Sequence, residues 1–117
     1  MRVAFGISGL VLAICLVLAA LQDVTREWQP YQTDYKSLAT ERALSEGQRE
    51  AVQRMDFGVM QDYLPALGRV DRCRTCHRGV ENPAMLGAPA PHGKHPGSLL
   101  TSHPPERFGC TICHQGQ

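Results

Sequence analysis

Twelve basic and eleven acidic residues leave this 117-residue chain with a formal net charge of +1, which excludes the polyanion binding of a strongly basic domain and the solvating role of an acidic tail. Three Phe, three Tyr and one Trp are too few for a conventional globular core, and part of the 43% apolar content is gathered at the N-terminus.

From Val3 to Leu21 the run VAFGISGLVLAICLVLAAL carries no charge over 19 residues. As a helix it covers about 28 Å, the hydrocarbon thickness of a bilayer. A secretory signal peptide also combines a basic start with an apolar stretch. Signal cores are shorter, however, at about 7 to 15 residues, and end in a small-x-small site. Here the run ends Leu18-Ala19-Ala20-Leu21-Gln22, with Leu in the outer small position. Residues 1–22 are therefore read as a retained transmembrane anchor. Cys15 lacks a small residue before it, since Ile14 stands there, and reads as a thiol buried in the membrane rather than a lipidation site. Arg2 and the α-amino group keep the short N-terminal end in the cytoplasm by the positive-inside bias. Trp28 and Tyr31 follow the run at the depth where amphipathic rings sit among headgroups.

Residues 23–69 are charged and rich in helix formers, and read as a helical stalk. Val52, Met55, Val59 and Tyr63 recur at three and four, which predicts one helix face. Ser45 with Gln48 has the form of a capping box, while Pro65 followed by Gly68 should end the helix. Met and aromatic residues on this stripe are read as packing residues.

From residue 70 to 117 periodicity disappears and Pro, Gly, His and Cys take over. Glu81-Asn82-Pro83, Gly87-Ala88-Pro89-Ala90-Pro91 and His103-Pro104-Pro105 keep the chain extended or turning. Within it, Cys73-Arg74-Thr75-Cys76-His77 and Cys110-Thr111-Ile112-Cys113-His114 are two copies of C-x-x-C-H. Two thiols three positions apart reach the two vinyl groups of one porphyrin, and the next residue's imidazole lies under the iron. Two covalently attached haem c groups follow, with Cys73, Cys76, Cys110 and Cys113 as thioethers and His77 and His114 as proximal ligands. The competing reading is a zinc ribbon. It leaves the two histidines unexplained, and the 33 residues between Cys76 and Cys110 exceed the common spacing of about 15 to 20. A disulfide scaffold also has no use for paired histidines.

A sixth ligand at each iron would make a carrier rather than a small-molecule site. His92, His95 and His103 all lie between the motifs. His95 and His103 rank first because each precedes a proline, which holds the local backbone extended; His92 is the reserve. Met85 is the alternative distal ligand, and His/Met ligation would raise the potential relative to bis-His. Three histidines between the motifs favour bis-His at both irons. Arg74 and Arg78 are the expected partners of haem propionates.

These motifs, the His95-Pro96 and His103-Pro104 steps and the phrase Arg107-Phe108-Gly109-Cys110-Thr111-Ile112-Cys113-His114 resemble membrane-anchored multihaem c-type cytochromes. The resemblance covers about the last 48 residues. It implies a mainly α chain, with a transmembrane helix and a helical stalk followed by an irregular, haem-wrapped cytochrome domain. It also implies low-spin haems close enough for rapid exchange. Haem attachment on the outer face of the bacterial cytoplasmic membrane would put this domain in the periplasm. The anchor is similar to that of small quinol-oxidising cytochromes that feed periplasmic reductases, which usually carry four or more motifs where this chain has two. With the sequence ending at Gln117, three residues after His114, one flank of the second haem is expected to be closed by a partner subunit or a second copy.

Three functions are thereby expected. The first is electron transfer, by a subunit relaying electrons between a quinol-oxidising membrane complex and a periplasmic acceptor rather than by an enzyme. The second is a haem-bearing anchor or assembly subunit of a larger oxidoreductase. The third is a small-molecule reductase with an open haem site, for which no distal acid–base set is recognisable. Other cytochrome or quinol-oxidoreductase subunits are the expected partners, with no role for nucleic acid.

Overall fold

The computed structural model describes residues 2–115. Met1, Gly116 and Gln117 lie outside them, as does the side chain of Arg2. The orientation expected from the first two residues and the reading of the end at Gln117 therefore fall outside the described residues. Helix α1 (Arg2–Val24) contains the apolar run, and its large side chains, from Val3 to Val24, are exposed. At 1.5 Å per residue its 23 residues extend about 34 Å. By length and composition it can cross a membrane, in keeping with a single N-terminal anchor.

After a break at Thr25–Trp28, helix α2 (Gln29–Glu41) starts with Pro30 in its first turn, where a missing N–H costs nothing. It buries Gln32, Tyr35 and Ala39, which share one face. Helix α3 (Glu46–Gln53) begins at Ser45, whose hydroxyl accepts the Gln48 N–H at 3.2 Å. The Gln48 side chain reaches back, but to the Leu44 N–H (2.8 Å), one residue beyond the usual box partner.

The expected helix face through Val52, Met55, Val59 and Tyr63 is not formed as such. The chain leaves α3 at Arg54, and only Val52 of the four is helical. The Gln32 side-chain amide holds Gly58 out of the helix, accepting its N–H at 2.9 Å and donating to its carbonyl at 2.7 Å. The four-residue spacing of Met55, Val59 and Tyr63 was a coincidence that this clasp overrides. Tyr63 lies instead on β1 (Asp62–Leu64), paired antiparallel with β2 (Arg69–Asp71) in the register Asp62 with Asp71 and Leu64 with Arg69. Pro65–Leu67 forms a 3-10 turn between the strands, and Gly68, at φ +59°, supplies the left-handed residue that closes it.

Beyond β2 the backbone is held mainly by single turns, with the short helices α4 (Leu99–Ser102), α5 (Pro105–Phe108) and α6 (Thr111–His114). The buried apolar cluster is small: Tyr35, Ala39 and Met85, flanked by Val52, Met55 and Ala88. Polar bonds complete the join between α2 and the loops. Gln32 donates to the Thr75 carbonyl at 2.8 Å, Asn82 donates to the Tyr35 hydroxyl at 3.0 Å, and Arg42 donates to the carbonyls of Ala84 and Leu86, both at 3.1 Å.

Candidate functional site

The two C-x-x-C-H segments take the same local shape. In the first, the Cys73 carbonyl accepts the Cys76 N–H at 3.2 Å and the His77 N–H at 3.0 Å. In the second, the Cys110 carbonyl accepts Cys113 at 3.2 Å and His114 at 3.0 Å. A single helical turn sets residues three and four apart on one side of the backbone. Each motif thus carries two thiols and an imidazole on one turn of backbone, at the spacing that a covalently held haem requires.

Asp71 joins the motifs. Its carboxylate is buried, at 1% exposure, and accepts the Cys73 N–H (2.9 Å) on one oxygen and the N–H groups of Cys110 (2.7 Å) and Thr111 (3.0 Å) on the other. Burial alone would raise its pKa, but the backbone donors from both motifs outweigh burial and bring it down to about 2. Gly109, at φ +66°, makes the approach possible, since a Cβ there would meet Leu64 Cδ1 at 2.6 Å and the Asp71 carboxylate at 2.9 Å. As a result the Cys73 and Cys110 sulfurs and the Asp71 carboxylate all lie within 4.8 Å of one another.

This trio is, among the described residues, the group of His, Cys, Asp and Glu side chains close enough to hold an ion. It is a poor zinc site. Both Asp71 oxygens are taken by backbone donors. As free thiols, Cys73 is pushed up to about 12 by burial and then by Asp71, and burial raises Cys76 and Cys110 as well. Cys76 and Cys113 do not join the trio, so the four-cysteine cage of a ribbon is not assembled.

The intermotif residues fall into distinct settings. His95 is half-buried, with its N–H donating to the Val80 carbonyl at 2.9 Å. Its ring Nδ1 lies 2.9 Å from the Pro96 carbonyl, and its ring centroid lies 6.3 Å from that of His114, with the planes at 75°. His92 is 4% exposed, and its Nδ1 is buried with no hydrogen-bond partner, a state that costs about 1–3 kcal/mol unless something binds there. Burial holds its pKa down, the Asp34 charge opposes this, and the nearby His77 lowers it further. A Cβ on Gly79, two residues after His77, would collide with the His92 carbonyl, so these two backbones touch. His103 is exposed and packs edge-on against Phe108 at 5.0 Å. Met85 is fully buried in the apolar cluster with Tyr35 and Ala39.

Arg74 and Arg78, expected beside propionates, both bond to protein groups here. Arg74 pairs with Asp62 through the Nε–Nη2 edge of its guanidinium and with Glu81 and Glu106 through Nη1, each of the latter at 2.7 Å. Arg78 donates to the Asp56 carbonyl at 2.8 Å. Arg74 thereby ties the first motif to the hairpin and to α5, and Arg78 ties it to the segment that follows α3. Asp71 and Gln32 escaped the sequence reading. For Asp71 a signal existed, an acid two residues before the first motif, the position from which a side chain bonds the N–H two residues on. Gln32 had none. No protein-family model matches this chain, and no match exists among curated proteins or solved structures.

Proposed function

We propose that the chain is a membrane-anchored dihaem c-type cytochrome that carries electrons as a subunit of a larger respiratory assembly. The observation that carries this reading is the pair of identical C-x-x-C-H turns, bonded side by side to one buried carboxylate. Bound haem would supply an iron that alternates between ferric and ferrous states. Cys73, Cys76, Cys110 and Cys113 would hold the two porphyrins as thioethers, and His77 and His114 would ligate the irons. Asp71, by fastening the first cysteine of each turn to the other, keeps the two attachment points adjacent, as rapid exchange between two haems requires. Helix α1 tethers the unit to the bilayer, with the motifs on the periplasmic side, near a membrane donor and within reach of a soluble acceptor.

The test is production of the full chain in a host with covalent haem maturation, followed by intact mass and a redox titration of the visible spectrum. Two haem additions and reversible reduction are expected. A chain matured without haem, or one that takes up zinc instead, would refute the proposal.

A further inference from the structure

The intermotif segment holds three histidines for two irons, and their surroundings differ enough to choose between them. We infer that His95 is the distal ligand opposite His114 and that His92, not His103, is the distal ligand opposite His77. The inference rests on the dihaem reading and deepens it.

Two imidazoles bound on opposite faces of one metal, each through a nitrogen at about 2.0 Å, put their ring centroids about 6 Å apart. His95 and His114 stand at 6.3 Å. The second observation is the bond from His95 Nδ1 to the Pro96 carbonyl. A carbonyl can only accept, so in the neutral ring this contact calls for the proton on Nδ1 and leaves the Nε2 lone pair for a metal. Metal-bound histidines are commonly oriented in this way, by a carbonyl on the nitrogen that does not ligate. The proline after His95 thus supplies the acceptor that selects the tautomer.

For the first iron the observation is the unpartnered, buried Nδ1 of His92, on a segment pressed against Gly79 two residues past His77. His103 has neither feature: its ring is exposed and lies against Phe108. Met85 is committed to the apolar cluster.

The test is EPR of the oxidised, detergent-extracted full chain, with haem content measured by mass on the same samples. Wild type is expected to give two low-spin signals. One should be of the highly anisotropic, large-g type that near-perpendicular imidazole planes produce, as the 75° between His95 and His114 requires. His95→Ala should abolish that signal and leave one haem high-spin. His103→Ala should leave both haems low-spin. His92→Gly should leave the other haem high-spin, and added imidazole should return it to low spin; this rescue separates a lost ligand from a misfolded site. Two low-spin haems in His95→Ala or in His92→Gly without imidazole, or a high-spin haem in His103→Ala, would overturn the pairing. Wild type without covalent haem would overturn the dihaem reading itself, whereas two haems with the wrong spin pattern would overturn only the pairing.

Discussion

The first C-x-x-C-H turn is embedded and the second is open, although their backbone bonds match to within the last digit. Around the first, Thr75 is 5% exposed, exchanges bonds with the Met60 backbone at 3.0 and 3.1 Å and receives Gln32 on its carbonyl, while Arg74 is ringed by three carboxylates. Around the second, the corresponding Ile112 is 49% exposed and Cys113 and His114 face solvent; among the described residues the turn takes its side-chain hydrogen bonds from Asp71. The motif therefore specifies the turn locally, and its neighbours decide how deep it sits. In the proposed carrier the second site is the one a partner protein reaches first.

The largest expected effect separates the two sites outright. Cys73→Ser with Cys76→Ser should remove one covalent haem, and Cys110→Ser with Cys113→Ser the other, each read by intact mass. Denaturant unfolding should show the greater loss of stability for the first pair, because α2 and the hairpin close on it. Equal losses would end the distinction between an embedded and an open site.

Next is Gly79→Ala. Its Cβ would run into the His92 backbone, which cannot yield as a flexible side chain can, so a destabilisation of about 3 kcal/mol is expected in the midpoint of unfolding. The effect should centre on the first site, with the environment of His114 unchanged by NMR.

Asp71→Asn strikes both sites together. From an ordinary value of 3.8, Asp71 is lowered to about 2 in the folded chain, a difference worth roughly 2 kcal/mol at neutral pH. A carboxylate lowered on folding contributes stability above its unfolded pKa and loses it as pH falls through the folded value. Wild-type stability should therefore drop between about pH 4 and pH 2, and Asp71→Asn should flatten that part of the pH profile. An unchanged acid limb would remove Asp71 as the shared clamp.

Gln32→Ala should act on the first site only, leaving the Thr75 carbonyl and both backbone groups of Gly58 unpaired, at about 2 kcal/mol. At the small end, Arg54→Ala breaks an exposed ion pair with Glu50 and should cost no more than about 0.5 kcal/mol at either site.

What the residues alone determined is local. The 19-residue uncharged run and the Ser45 cap depend on neighbours within a few positions, where bonding and side-chain spacing follow directly from chain geometry. So does the spacing of Cys73, Cys76 and His77 and of its twin. Pro65 and Gly68, by contrast, expected to end the stalk helix, close a hairpin turn instead. The stalk's later course was misread because Gly58 answers to Gln32, 26 residues away, and no periodicity encodes such a clasp. Asp71 reaches Cys110 across 39 positions, and the settings of His92, His95 and His103 depend on which backbones meet in a region with little regular structure. Only the tertiary arrangement decides these, because a hydrogen bond or a buried nitrogen is a property of two groups brought together in space, and short turns rich in proline and glycine leave many such meetings open until the chain has folded.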